Sequence, residues 1–338
     1  MSFNQYFIKV YNKKNLTKHE AQQAFKEIMS GKVSNIEIGS FLVALSLKGI
    51  KHNELLAAVQ VLRSKCLKIN TKGNIIDTCG TGGDKKNTLN ISTATAVLAA
   101  SCGIKVAKHG NKSVSSNSGS SDVLEKLGVN INAPIKTVQN SLEKINLCFL
   151  MAPLYHKAMK NVSEVRSTLK IPTIFNLLGP LLNPAGANIQ LIGVYSSKWL
   201  LPIAKCLKEL KIKKAWVVHG QDGLDEITTA TITDVVEVNN NKIRRFKIDP
   251  AKLGLRKSKN SYLRGKNSKY NANEILLLFK RQNKNIYYEE IVLLNTAAIL
   301  VLTNKCKNLK QGILFAKKNL DNGKAFNKLI QLKNQCPK

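Results

Sequence analysis

Three glycines are interleaved with two aspartates in Asp77-Thr78-Cys79-Gly80-Thr81-Gly82-Gly83-Asp84, directly after the apolar pair Ile75-Ile76. Glycine at that density lets a backbone turn tightly and approach a ligand closely. Successive N–H groups in such a turn make an anion nest, and the helix opening at Asn90-Ile91-Ser92-Thr93 adds its dipole. Phosphate or pyrophosphate is the natural guest, although an ordinary glycine-rich turn has the same composition. The spacing is that of neither a Walker loop nor a Gly-x-Gly-x-x-Gly turn. Ser92 and Thr93 can cap the helix, donate to phosphate or help hold Mg²⁺.

Three more segments carry reactive or binding groups. Lys108-His109-Gly110-Asn111-Lys112-Ser113-Val114-Ser115-Ser116 runs on through Gly119-Ser120 to a helix at Asp122–Leu127. Its lysines, hydroxyls and glycines suit a loop that folds over a phosphorylated ligand, and a disordered linker is the alternative. Asp225-Glu226 follow the apolar strand Ala215–Val218, at the sheet edge where α/β ligands bind. Adjacent carboxylates there are hard oxygen ligands for Mg²⁺ or a solvated acidic turn. Arg166, in a helix expected over Tyr155–Leu169, offers a planar fork for a carboxylate, or is a surface charge. No Ser–His–Asp order and no pair of glycosidase carboxylates stands out. Cys79, His109 and His156 read as packing groups.

These segments need elements to hold them. Residues 1–70 read as helices alone, with capping boxes at Ser2/Gln5, Thr17/Glu20 and Ser34/Glu37, a stop at Gly31 and a cap at Asn53. From Asn74 short apolar runs alternate with helical stretches, which predicts an α/β unit with a mainly parallel sheet. Val235–Val238 and Ile243–Ile248 predict a hairpin around Asn239-Asn240-Asn241. Lys252–Ala272 is basic and Asn/Ser-rich and reads as a loop or linker, with helices again from Asn273. The fold class is therefore a small N-terminal all-helical domain plus a larger α/β domain.

Composition excludes several classes. With 338 residues and 43% apolar content the chain can bury a large core. The run Ile291–Leu302 is too short to span a bilayer, so no membrane partner is expected. Met1–Asn15 has no uninterrupted apolar stretch, and seven cysteines without a Cys-x-x-Cys point to a reducing cytoplasm. The formal charge is +32, but only seven of the 53 basic residues are Arg, and there are 35 Asn. That is the signature of codon bias; a chain built to grip nucleic-acid phosphate would use more Arg.

Taken together, the motifs resemble the anthranilate phosphoribosyltransferase family, in the nucleoside phosphorylase/phosphoribosyltransferase class. The matching segments run in order along nearly the whole chain. They are Gly80–Asp84, Asn90–Thr93, Lys108–Ser116, Gly119-Ser120, Ala152-Pro153 with His156 and Ala158-Met159, and Arg166. Thr173–Pro180 with Asn183-Pro184, Asp222–Glu226, Asn295 with Ala297, and Gly323 with Ala325 complete the series.

The resemblance implies transfer of a 5-phosphoribosyl group from 5-phosphoribosyl 1-diphosphate to the amine of anthranilate, in tryptophan biosynthesis. By position, Gly80, Gly83, Asp84, Thr88, Asn90, Ile91, Ser92 and Thr93 would hold the donor's diphosphate. Lys108, His109, Gly110, Asn111, Lys112, Ser113, Val114, Ser115, Ser116 and Ser120 would close over the donor. Gly80, Asn111 and Arg166 would hold anthranilate, and Ser92, Asp225 and Glu226 would bind two Mg²⁺. It also implies a homodimer through the helical domain, which would comprise residues 1–72 completed by helices near 160–185, against an α/β domain of 73–159 and 186–338. The sequence departs from the family pattern at Lys85 and Lys170, where glycine is common, at Leu89, where Phe is common, and at Pro172, where Arg is common. Two rivals remain open at this level. A pyrimidine nucleoside phosphorylase needs no Asp-Glu metal pair, and a nucleic-acid-binding paralogue would have lost catalysis.

Overall fold

The computed structural model describes residues 3–112 and 118–338. Four helices come first: α1 (Asn4–Tyr11), α2 (Lys18–Ile28), α3 (Asn35–Lys48) and α4 (His52–Ser64). Ser2 lies outside the described residues. The other two capping boxes are formed, with the Glu20 N–H donating to Thr17 Oγ1 at 3.2 Å and the Glu37 N–H to Ser34 Oγ at 3.3 Å. Asn53 does not cap the fourth helix. Glu54 sets that start instead: buried, it accepts the Lys51 N–H at 2.8 Å and the Leu16 N–H at 3.0 Å, and it pairs with Lys48 at 2.9 Å. A buried carboxylate with three partners outweighs a surface cap.

The α/β unit is built on a seven-stranded sheet of order β3-β2-β1-β4-β5-β6-β7. The strands are β1 (Ile76–Gly80), β2 (Val106–Gly110), β3 (Leu147–Met151), β4 (Ile189–Gly193), β5 (Lys214–Gly220), β6 (Thr233–Asn239) and β7 (Lys242–Ile248). β1 to β5 are parallel, and β6 and β7 add the antiparallel hairpin. Along the inner strands the period of two sends side chains to two covered faces, whereas the edge strand β7 stays largely exposed. Trp216 and Val218 of β5 join one core with the helices Ile91–Ser101 and Ile286–Leu302, while Ala215 and Val217 join the other with Leu200–Glu209 and the N-terminal helices. Among the described residues no helix is long and apolar enough to cross a membrane.

Several boundaries differ from the sequence reading. β1 continues past Ile76 through Asp77 to Gly80, paired with β4, and β2 takes in Lys108, His109 and Gly110, paired with β3. Lys108 and His109 are therefore strand residues rather than loop residues. The helix expected over Tyr155–Leu169 is broken at His156 (φ −115°, ψ 60°), so the continuous part is Lys160–Leu169. That helix packs on α3, and its Asn161 Nδ2 donates to the Met29 carbonyl at 3.2 Å. The stretch Lys252–Ala272 is not a linker. It forms short turns at Pro250–Leu253 and Asn260–Leu263, and a helix begins at Ser268, capped by Asn267.

Candidate active site

Four parallel strands end in glycine at the same sheet edge: Gly80, Gly110, Gly193 and Gly220. Beyond Gly80 the backbone enters left-handed space at Gly82 (φ 65°), Gly83 (φ 83°), Lys85 (φ 59°) and Asn87 (φ 50°). That turn is the nest. The Gly82 N–H donates to Asp225 Oδ2 at 2.8 Å, so the carboxylate loop after β5 rests on the glycine turn after β1.

Asp77 is not part of the nest. Fully buried, it accepts the His109 N–H at 3.2 Å and the Asn183 Nδ2 at 2.8 Å, and Asn183 also donates to the Ala107 carbonyl at 2.8 Å. This carboxylate locks β1, β2 and the Asn183 turn together beneath the site.

Asp225 and Glu226 form a crowded pair. Burial raises both carboxyl pKa values; Asp84 raises Asp225 further, and Asp225 raises Glu226 further. Glu226 accepts a backbone hydrogen bond from Ser92 and feels Lys108. Lys108 itself is buried, with Nζ donating to the Thr78 carbonyl at 2.8 Å and to Ser92 Oγ at 3.2 Å. Carboxylates whose repulsion exceeds their local positive charge suit a divalent cation. No group of three His, Cys, Asp or Glu side chains forms a ready cage among the described residues. Two carboxylates and one hydroxyl fit Mg²⁺, which keeps waters and phosphate oxygens in its remaining positions.

His109, His156 and Arg166 line the same cavity as the carboxylate pair. His109 Nδ1 lies 3.1 Å from the Gly179 carbonyl, so the proton sits on Nδ1 and the buried Nε2 is left with no partner among the described residues. Burial, with His156 stacked edge-on at 5.3 Å, pushes the His109 pKa down to about 3. Arg166 is half-buried with its guanidinium 5.7 Å from the Phe175 ring centroid, and no carboxylate lies within ion-pair distance of it among the described residues. Cys79 is no nucleophile: burial and Asp77 push its thiol pKa well up.

One cavity of about 550 Å³ collects these groups. Gly80, Gly83, Asp84, Thr88, Asn90, Ile91, Ser92, Thr93, Lys108, His109, Gly110, Asn111, Lys112, Ser120, Arg166, Asp225 and Glu226 all line it. Ser113, Val114, Ser115 and Ser116 lie outside the described residues. Six lining residues escaped the sequence reading: Asn87, Lys160, Ser163, Leu182, Lys266 and Asn271. Lys160 and Ser163 sit two helical turns and one turn before Arg166, a spacing that could have flagged them. Lys266 and Asn271 lay in the stretch read as linker.

Comparison with known proteins gives a consistent result. Residues 72–326 match the model of the glycosyl transferase family a/b domain, and residues 4–66 that of the family's helical bundle domain. The anthranilate phosphoribosyltransferase of Petrotoga mobilis is 44% identical over 331 residues, covering 98% of this chain and 96% of the relative. That of Clostridium kluyveri is 43% identical over 332 residues, with 98% of each covered. The crystal structure of the Thermus thermophilus anthranilate phosphoribosyltransferase superposes with a TM-score of 0.91 at 35% identity, covering 98% of this chain and 99% of that one. The Saccharomyces cerevisiae enzyme, solved in complex with PRPP and Mg, superposes with a TM-score of 0.91 at 28% identity, covering 99% and 97%.

Proposed function

The chain belongs to the anthranilate phosphoribosyltransferase family, and from that membership we propose that its cleft moves the 5-phosphoribosyl group of 5-phosphoribosyl 1-diphosphate onto the amine of anthranilate. The products are N-(5-phosphoribosyl)anthranilate and pyrophosphate, the second step of tryptophan biosynthesis from chorismate. One observation carries the reading: the glycine nest, the Asp225-Glu226 pair and the unpaired Arg166 face a single cavity.

The residues divide the work. The turn Gly80–Asp84, with Thr88 and the helix start Asn90–Thr93, cradles the diphosphate through backbone N–H groups and the helix dipole. Asn111 to Ser116 and Ser120 cover the ribose phosphate, while Lys108 and His109 act from the strand end beneath them. Asp225, Glu226 and Ser92 hold magnesium, in our reading two ions. Magnesium held there would supply positive charge against the diphosphate. Lys108, anchored on the Thr78 carbonyl, adds fixed positive charge beside the nest. Arg166 takes the anthranilate carboxylate by its fork, with Asn111 and Gly80 beside the ring. His109, held neutral, accepts a hydrogen bond from the incoming amine at Nε2, and the proton freed as the C–N bond forms and the C–O bond to diphosphate breaks passes to the departing pyrophosphate or to solvent. An aromatic amine needs no strong base, and the reaction proceeds by dissociative displacement without a covalent enzyme intermediate.

The same reading places residues 1–72 with the helices near 160–185 in one domain, and 73–159 with 186–338 in the other. Contacts of Lys160–Leu169 with α3 and of Phe175 with Phe25 support it. A second copy of this chain covers the exposed apolar face of α1 and α3, where Tyr11, Ile36 and Leu47 are 70%, 82% and 84% exposed. The enzyme works in the cytoplasm, and nucleic acid is not a partner.

The test follows anthranilate fluorescence after addition of 5-phosphoribosyl 1-diphosphate and Mg²⁺. Loss of signal that EDTA abolishes is expected, and folded protein that consumes neither substrate would overturn the reading. Asp225→Asn with Glu226→Gln should collapse the Mg²⁺-dependent rate; a near-normal rate removes the pair from the metal site.

A further inference from the structure

The stretch Leu263–Asn271 is built into the wall of the donor site. The Leu89 N–H donates to the Leu263 carbonyl at 2.8 Å and the Gly265 N–H to the Asn87 carbonyl at 2.8 Å, with a bridge between Thr88 and Arg264. The approach is so close that a Cβ at Gly265 would lie 2.6 Å from the Thr88 carbonyl oxygen. Residues 87–89, which lead into the helix carrying Ser92, thus take their course from a segment far away in sequence.

Asn271 closes this seam. It is 1% exposed. Its Oδ1 accepts the Lys266 N–H at 2.9 Å, and its Nδ2 donates to Asn90 Oδ1 at 2.9 Å. That donation settles which way the Asn90 amide faces. With Oδ1 engaged, Asn90 Nδ2 donates to the Ser118 carbonyl at 3.2 Å, at the far end of the loop that begins at Asn111. Asn90 stands at the N-cap of Ile91–Ser101, yet its side chain does not cap the helix. It is spent on joining the nest, the helix start and the covering loop.

We propose that Asn271 is a positioning residue for the donor diphosphate, acting through Asn90: it fixes the Asn90 amide so that the helix start and the loop at Ser118 are held in register. The role rests on this cleft being the donor site of the proposed function. The Asn271→Asp substitution tests it without change of shape. The new carboxylate could still accept from the Lys266 N–H but could not donate to Asn90 Oδ1. Asn90 would have to turn its amide over, releasing the Ser118 carbonyl.

Asn271→Asp should raise the KM for 5-phosphoribosyl 1-diphosphate about tenfold, the worth of one buried hydrogen bond in a network. The KM for anthranilate should barely move, while the buried carboxylate lowers the melting temperature whether or not Asn271 positions the donor, so the role is read from the donor KM. A residue that merely supports the fold would leave both KM values unchanged. The double-mutant cycle with Asn90→Ala separates positioning from the added charge or from direct contact with the donor. In the Asn90→Ala background Asn271→Asp should add nothing, whereas a full tenfold effect there, or none in the native background, overturns the proposal. Calorimetric binding of inorganic pyrophosphate with Mg²⁺ reads the same tenfold loss without turnover. If the native chain fails to transfer phosphoribosyl groups, the function falls, and the pyrophosphate titration still decides the role of Asn271.

Discussion

Gly193, the last residue of β4, sits directly beneath Asp225: a Cβ at position 193 would run into the Asp225 main-chain carbonyl. Gly80 makes the same demand from β1, where a Cβ would meet the Asp225 carboxylate. Two adjacent strand ends are thus bare so that the carboxylate loop can lie flat on the sheet edge. Neither glycine is there for a turn, since neither has a positive φ.

Gly193→Ala should therefore displace the loop that carries Asp225 and Glu226. Overpacking of this kind costs about 1–3 kcal/mol of stability. Because the backbone of Asp225 must move, the Mg²⁺ concentration for half-maximal rate should rise along with the loss of rate. Urea unfolding and an Mg²⁺ titration of the variant check both effects. An unchanged Mg²⁺ dependence would mean that the close approach does not position the carboxylates.

Arg166 carries the second expectation. A half-buried guanidinium with no carboxylate within ion-pair distance among the described residues suits an external anion. Truncation to Ala removes a charge-assisted hydrogen bond worth about 1.5–3 kcal/mol, a factor of roughly 10–150 in affinity. The KM for anthranilate should rise by that factor, and the KM for the phosphoribosyl donor by much less. Equal losses for both substrates would take Arg166 out of the acceptor site.

The parts of this site that were legible in the sequence are those set by local chemistry. The glycine turn, the Asp-Glu pair and the capping boxes at Thr17 and Ser34 depend on neighbours within a few residues. The parts that were hidden depend on remote partners. β1 looked finished at Ile76 because Asp77 and Thr78 are polar, but Asn183 satisfies Asp77 from 106 residues away. Lys108 looked like a loop cation because nothing local shows that the Thr78 carbonyl waits for it. Asn271 was lost in an Asn/Ser-rich run whose partner is 181 residues distant. Polar residues inside strands defeat a hydrophobicity pattern whenever their satisfaction is tertiary.

His109 gives stability a pH dependence. Folded, it titrates at about 3; unfolded, an imidazole titrates near 6.5. Between those values the unfolded chain binds the extra proton, so the contribution of His109 to stability falls as pH drops through the window and is constant above it. The slope from one such group is at most about 1.4 kcal/mol per pH unit. Denaturant unfolding at pH 7.5, 6.5 and 5.5 should show the native chain losing stability faster than His109→Gln, which keeps a donor for the Gly179 carbonyl. Parallel curves for the two proteins would show that His109 is not held neutral.

Lys170 separates a residue the fold tolerates from one it prefers. It ends the helix Lys160–Leu169 in left-handed conformation, φ 51°, with its N–H donating to the Arg166 carbonyl at 3.3 Å. For an L-residue with a Cβ that conformation costs about 1–2 kcal/mol, which glycine avoids. Glycine in turn loses about 0.5–1 kcal/mol more backbone entropy on folding. The strain is the larger of the two, so Lys170→Gly should stabilise the chain by something under about 1 kcal/mol. The Arg166 carbonyl keeps its partner either way, so the KM for anthranilate should stay where it is. Lys85, at φ 59° in the turn that follows Gly83, meets the same strain. Lys85→Gly should therefore match the gain in stability while giving the turn more freedom, and raise the donor KM. A loss of stability in Lys170→Gly would mean that the lysine side chain makes up for the strain of its backbone.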